Sequence, residues 1–209
     1  MYIPPVFNAD TETALDFAAE RGFATFIAVD DGRPVASHLP FLLERRPGTV
    51  RLEAHVARAN PLHAIIARAP DILVTITGPD AYISPDWYVA SDQVPTWNYV
   101  SVHLSGTARL LPPGDNLAVV DRISAAFETR LAPKRPWTSD KMTAAKRDAM
   151  LKAIVGFEVT VTSVEAQWKL AQHKSRPDRI EVARMLDWRG DGGSRGVAQL
   201  IAESLKRKG

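Results

Sequence analysis

Apolar and polar residues alternate through much of the chain. In "VPTWNYVSVHLSG", Val94 to Gly106, the side chains of Val100, Val102 and Leu104 fall on one side of an extended backbone. Tyr99, Ser101, His103 and Ser105 fall on the other. This is the period-two pattern of a half-buried strand. Its polar side carries small hydroxyls, an imidazole and a phenol, so it is placed to face water, a second subunit or a ligand. Five further runs read as strands: "FATFIAV", "VASHLPFLLE", "VRLEAHVA", "DILVTITGP" and "FEVTVTSVEAQWKL". Asp31-Gly32 joins the first two as a hairpin turn. Pro40 predicts a bulge or an edge position in the second. In the third, Val50, Leu52, Ala54 and Val56 share a face, and Arg51, Glu53 and His55 share the other. "DAYISPDWYVASDQVPTW" reads as a long loop.

Helical periodicity appears elsewhere. Asp10 caps a short helix that runs to Glu20 and stops at Gly22. "NPLHAIIARAP" begins with an N-cap Asn60 followed by Pro61 at the first helical position. "GDNLAVVDRISAAFETRL" sets Leu117, Val120, Ile123, Phe127 and Leu131 on one stripe. "SDKMTAAKRDAMLKAIV" predicts a second helix, ended by Gly156. "SRPDRIEVARML" is a helix capped by Ser175. "DGGSRG" reads as a flexible break before an amphipathic helix from Val197 to Lys206. Closely spaced strands with short turns predict a mainly β, α+β fold of about six antiparallel strands, a barrel rather than a doubly wound sheet. The expected organisation is one domain over residues 1–186, with inserted helices over 115–155, then a linker and C-terminal helix over 187–209.

Composition narrows the classes. Of 209 residues, 45% are apolar and 24% charged, with 26 Lys and Arg against 24 Asp and Glu. The net charge of +2 is spread along the chain, unlike the clustered basic face of a nucleic-acid binder. The one tight basic run, Lys206-Arg207-Lys208, reads as a solvated tail. The absence of cysteine removes disulfides, thiolate metal sites and cysteine nucleophiles. No apolar run approaches the ~20 residues that span a bilayer, and the N-terminus has no secretory signal pattern. A cytoplasmic protein without membrane contact is expected.

Three stretches carry candidate chemistry. "HVARANP", His55 to Pro61, ends a strand and starts a helix, whose free N–H groups and dipole suit an anion such as a phosphate monoester. Arg58 and His63 flank that point, and an ordinary capped helix gives the same pattern. In "ASHLPF", Ser37 and His38 lie mid-strand on opposite faces. "QWKLAQHKSRPDR" gathers Trp168, Lys169, Gln172, Lys174, Arg176 and Arg179, a set that suits a phosphate, a flavin edge, nucleic acid or a solvated junction. The five histidines lack metal-ligand spacing. No nucleophile elbow, Walker loop or G-x-G-x-x-G is present.

"MYIPPVF", "ASHLPF", "HVARANP", "GPDAYISPDWY", "VPTWNYVSVHLSG", "GFEVTV" and "KLAQHKSRPDR" occur in one order, and the chain from Met1 to about Leu186 thereby resembles the PaiB-type family of FMN-binding negative transcriptional regulators. The resemblance implies a flavin-reductase-like split β-barrel, a homodimer and FMN at the subunit interface. It implies that the polar side of the Tyr99 strand looks toward the cofactor or the partner. By likeness to pyridoxamine-phosphate-type oxidases, "HVARANP" is the phosphate position. It offers Arg58 and Asn60 without the Ser and Lys found there. Trp168, Lys169 and Arg176 loosely match the terminal Trp and Arg contacts. The cofactor-binding candidates are therefore Ser37, His38, His55, Arg58, Asn60, Asn98, Tyr99, His103, Trp168, Lys169, Gln172 and Arg176.

The leading expectation is an FMN-binding regulator acting directly on DNA or through a regulatory protein. No DNA-reading helix stands out. The alternative is an FMN-dependent oxidoreductase or a haem-handling enzyme, with His38, His55 and His103 as candidates for proton transfer or haem ligation. A cofactor-free interaction module is a third reading.

Overall fold

The computed structural model describes residues 1–206. The last two residues of the basic run, Arg207 and Lys208, lie outside them. Six strands and six α-helices follow in the order α1 (Thr11–Arg21), β1 (Phe23–Asp30), β2 (Arg33–Arg46), β3 (Thr49–Ala57), α2 (Leu62–Arg68), β4 (Asp71–Ile83), β5 (Thr96–Leu110), α3 (Asn116–Thr129), α4 (Ala144–Lys152), β6 (Ile154–Lys169), α5 (Arg176–Arg189) and α6 (Gly192–Lys206). The strands form a closed barrel in the order β1-β2-β3-β6-β5-β4. The chain divides into two compact units, one of Leu15–Ile76 with His103–Val164, the other of Met1–Ala14, Thr77–Val102 and Glu165 onward.

The first of these holds the antiparallel pairings β1–β2, β2–β3, β3–β6 and β1–β4. Asp31 and Gly32 both have positive φ, 46° and 78°, which matches the twist a two-residue hairpin needs. Pro40 makes no bulge, and it holds a local edge position, paired with a strand on one side only. It is the last β2 residue paired with β1, opposite Phe23, and Phe41 begins the pairing with β3. The missing N–H of Pro40 falls where the strand changes neighbours, and Phe41 N donates instead to Gly22 O at 2.9 Å. Phe26, Phe41 and Phe157 meet edge to face in the core, with centroids 6.2 and 5.6 Å apart, a favoured aromatic geometry. Asp10 caps α1 as expected, its Oδ1 accepting from Thr13 N at 2.8 Å.

The inserted helices differ from the sequence pattern. The buried side of α3 carries Asn116, Val119 and Ile123, and Leu131 is 53% exposed. The α4 helix ends at Lys152, and Ile154, Val155 and Gly156 belong to β6. Asn116 explains the glycine. Its Nδ2 donates to Leu151 O and Ile154 O, both at 3.2 Å, and its Oδ1 accepts from Gly156 N at 3.0 Å. A Cβ on Gly156 would stand 3.0 Å from that oxygen.

In the other unit, Ala81, Ile83, Tyr88 and Leu170 pack with Val182 and Leu186 of α5 and Val197, Ala198 and Ile201 of α6. The β4 strand runs on to Ile83, through residues that read as loop. "DGGSRG" is not a linker here but the first turn of α6. Asp191 caps it, accepting from Ser194 N at 2.9 Å and Ser194 Oγ at 2.7 Å. A Cβ on Gly193 would stand 2.4 Å from Asp80 O, so the glycine there serves a close approach, not flexibility.

Candidate functional site

In the first unit, β2, β3 and the turn after β3 bring polar groups together. Ser37 is 6% exposed, and its Oγ meets Asn60 twice, accepting from Nδ2 at 3.0 Å and donating to Oδ1 at 3.3 Å. Asn60 Oδ1 also accepts from Leu62 N at 2.9 Å, and Asn60 O accepts from His63 Nδ1 at 2.8 Å. Asn60 therefore caps α2 as its residue type suggests. The anion site expected at the N-terminus of α2 is less than the sequence implied. The helix has only 7 residues, and one of its free N–H groups is already taken.

Arg58 follows β3 on the exposed surface. Its Nε donates to Lys152 O at 3.0 Å and its Nη2 to Ile154 O at 3.1 Å. These bonds fix the plane of the guanidinium, and Nη1 has no hydrogen-bond partner among the described residues. His38 is exposed on the side of β2 opposite Ser37, with Nδ1 3.0 Å from Thr25 Oγ1. His55 lines a cavity together with residues of α3 and α4 and with Ile154, whose carbonyl holds Arg58. Burial lowers its pKa below that of a free imidazole, since a low-dielectric setting disfavours the cation. His103 is half-buried between the buried Val102 and Leu104.

In the other unit, neighbouring Asn98 and Tyr99 point to opposite sides of β5. Asn98 is 1% exposed, on the same side as Val100, and its Nδ2 has no partner among the described residues. Tyr99 is half-buried and donates to Gln167 Oε1 at 3.1 Å. Lys169 Nζ donates to Thr96 Oγ1 at 2.7 Å, and burial lowers its pKa. Gln172 is occupied locally, accepting from Leu170 N at 2.7 Å and donating to Trp168 O. It braces a bend in which Ala171 has φ of 58°. Arg176 donates to Leu205 O at 3.2 Å and Arg179 to Ser204 Oγ. These two arginines sit at the C-terminal end of α6, where the helix dipole favours cations.

Lys174 approaches Gln93 Oε1 and lies 5.0 Å above the Tyr88 ring. His173 packs edge-on against Phe7, centroids 5.4 Å apart, and its pKa is lowered by burial and then by Lys174 and Lys169. Lys169 and Lys174 thus carry positive charge on neutral oxygens. Sequence reasoning missed Asp178, which is 3% exposed. Its Oδ1 accepts from Val89 N and Ala90 N at 2.8 and 2.9 Å, and its Oδ2 from Ser175 Oγ at 2.7 Å. The Ser175 hydroxyl and the Ala90 amide lower its pKa. The available signal was the Ser-x-x-Asp spacing of a capping box.

Comparison with known proteins gives the family and the fold. A family model described as "Putative FMN-binding domain" matches residues 1–163. The Bacillus subtilis (strain 168) protein "Protease synthase and sporulation protein PAI 2" is 31% identical over 209 residues, covering 100% of both chains. The FAD and heme binding protein from Mycobacterium smegmatis superposes with a TM-score of 0.54 at 21% identity, over 77% of this chain and 71% of that one. Conserved hypothetical protein Rv2991 from Mycobacterium tuberculosis gives 0.56 at 14%, over 83% and 92%. At these identities the two structures share the fold, the barrel that the strand pattern predicts. Trp168, Lys169, Gln172 and Arg176 lie beyond the family match and within the full-length similarity.

Proposed function

The chain belongs to the PaiB-type family of FMN-binding proteins, and on that premise we propose that it binds FMN with the phosphate at Arg58, in the turn between β3 and α2. The observation that carries this placement is the guanidinium held by Lys152 O and Ile154 O at 3.0 and 3.1 Å. A cation fixed in orientation loses little freedom when it meets an anion, and Arg suits phosphate through its planar fork of donors. Asn60 and Ser37 shape the floor of the same turn. When bound, FMN supplies electron transfer, and the protein binds and orients it.

On this reading the protein regulates gene expression through the state of its flavin and a protein partner, as a cytoplasmic homodimer. Its basic groups favour the indirect route: Arg176 and Arg179 are spent on the end of α6, and Lys169 and Lys174 on side-chain oxygens. Among the described residues no helix is long and apolar enough to cross a membrane. Haem is the second reading, and one observation favours it. Thr25 engages His38 Nδ1, which leaves Nε2 as the nitrogen for a metal, the arrangement in which a partner orients a ligating imidazole.

Absorption titration of the purified protein with FMN, then with haem, tests the proposal. Saturable binding with a perturbed flavin spectrum supports FMN. A Soret shift lost in His38→Ala, without FMN binding, moves the cofactor to haem. No change with either overturns both. An NADH oxidation assay on the FMN-loaded protein separates an oxidoreductase from a regulator.

A further inference from the structure

Arg58 borders a surface pocket of about 450 Å³, together with Pro113, Asn116, Asp148, Leu151 and Lys152. That volume lies in the range of small-molecule sites, roughly 300–1,000 Å³. Arg58 Nε donates to Lys152 O at 3.0 Å, so the guanidinium lies against the residue that carries the second cation of the pocket. Lys152 is exposed, and its ammonium has no hydrogen bond or ion pair among the described residues. Asp148 stands one turn earlier on α4, a spacing that puts both side chains on one face. Its Oδ1 is 3.9 Å from Arg147 Nε, beyond hydrogen-bond reach, and among the described residues no bridge joins it to Lys152. Asn116 is already committed to Leu151 O, Ile154 O and Gly156 N, so it is wall and not a recognition group.

These groups exceed what FMN asks of them. FMN carries a single phosphate, and Arg58 is held in place to meet it. The same pocket still offers a second cation, a carboxylate and an apolar pad made by Pro113 and Leu151. A lysine ammonium is a point donor for a phosphate oxygen. A carboxylate has acceptor sites for two hydroxyls at once, and an acidic side chain holds the ribose in dinucleotide sites in this way. The pad gives a purine ring an apolar surface to lie on. A second phosphate, a ribose and a purine are what FAD adds to FMN. Two cations against one carboxylate leave the pocket positive, which suits a diphosphate.

We propose that this pocket takes the adenylate half of FAD, with Arg58 on the phosphate shared with FMN, Lys152 on the second phosphate, Asp148 on the ribose hydroxyls and the purine against Pro113 and Leu151. The proposal rests on the placement of the flavin phosphate at Arg58. It makes the Lys152 side chain the group that separates FAD from FMN.

The test titrates the purified full chain, freed of flavin, with FMN and with FAD by calorimetry. FAD is expected to bind at least about 10-fold tighter than FMN, the low end for an added charged hydrogen bond. Lys152→Ala keeps the backbone carbonyl that holds Arg58 and should cut the FAD-to-FMN preference about 10-fold. Lys152→Arg should restore most of it. Arg58→Ala should weaken both flavins alike. Native affinity for both flavins in Arg58→Ala overturns the phosphate placement and this proposal with it, as does a native chain that binds neither. Loss of FMN in Arg58→Ala, with FAD no tighter than FMN on the native chain, overturns this proposal alone. So does an equal loss of FMN and FAD in Lys152→Ala, which puts the FMN half in the pocket. If Lys152→Ala does not fold, the preference of the native chain for FAD decides.

Discussion

Ser37 and Asn60, 23 residues apart, hydrogen bond each other by two contacts at 3.0 and 3.3 Å. The pair ties the middle of β2 to the turn after β3, and Asn60 carries the tie into α2 through Leu62 N at 2.9 Å. Removing the amide removes a helix cap and leaves a buried hydroxyl without its partner. Asn60→Ala is expected to cost about 1–2 kcal/mol of stability, the range for a lost N-cap. Asn60→Asp keeps the acceptor and should cost less. Urea unfolding of the three proteins checks the order, and an unchanged midpoint for Asn60→Ala would remove the structural role.

Arg58 separates charge from geometry. If its guanidinium meets the phosphate, Arg58→Ala should weaken FMN by about 1.5–3 kcal/mol, the worth of a charged hydrogen bond. That is a loss of roughly 10- to 150-fold in affinity. Arg58→Lys keeps the charge but cannot hold two backbone carbonyls and a phosphate at once. It should lose most of the same affinity. Flavin fluorescence titration measures both, and wild-type affinity in Arg58→Ala would move the phosphate elsewhere.

Much of the fold is legible because period-two alternation and turn residues are local signals. The Asp31-Gly32 hairpin, the Asp10 cap and all six strands follow from them. What escaped depends on contacts distant in sequence. Gly156 looks like a helix stop until Asn116, 40 residues earlier, is seen against it. "DGGSRG" looks flexible until Gly193 is seen against Asp80 O. The candidate chemistry shows the same limit. Residue type puts Ser37, Arg58 and Asn60 in one neighbourhood, yet it does not say that Gln172 braces its own bend. Nor does it say that Asn98 turns to the buried side of β5, or that Asp178 receives the amides of Val89 and Ala90.

Close approach between strands gives a sharp test of the barrel. A Cβ on Gly106 of β5 would stand 2.3 Å from Thr160 O of β6 and 2.8 Å from Val159 Cγ1. A backbone oxygen cannot swing aside as a side chain can, so the strands must part. Gly106→Ala is expected to cost about 3 kcal/mol or more, the upper range for overpacking. Gly114 is the control, with nothing within 4 Å of an added Cβ, and Gly114→Ala should be neutral or slightly stabilising. Thermal unfolding of both variants decides it; equal midpoints would mean that β5 and β6 are not this close.

Stability should fall as pH drops below about 6.5. Burial lowers the pKa of His55 from the 6.5 of a free imidazole. Burial, with Lys174 and Lys169, does the same to His173. Below 6.5 the unfolded chain binds protons at both rings before the folded chain does, so protons favour unfolding. The stabilisation is complete above the unfolded value and is lost progressively as pH falls through the folded values. Urea unfolding at pH 7.5 and pH 5.5 should show the loss, and His173→Gln should reduce the difference, because glutamine does not titrate. A larger difference in His173→Gln than in wild type would mean that His173 is stabilised as a cation, with its partner yet to be found.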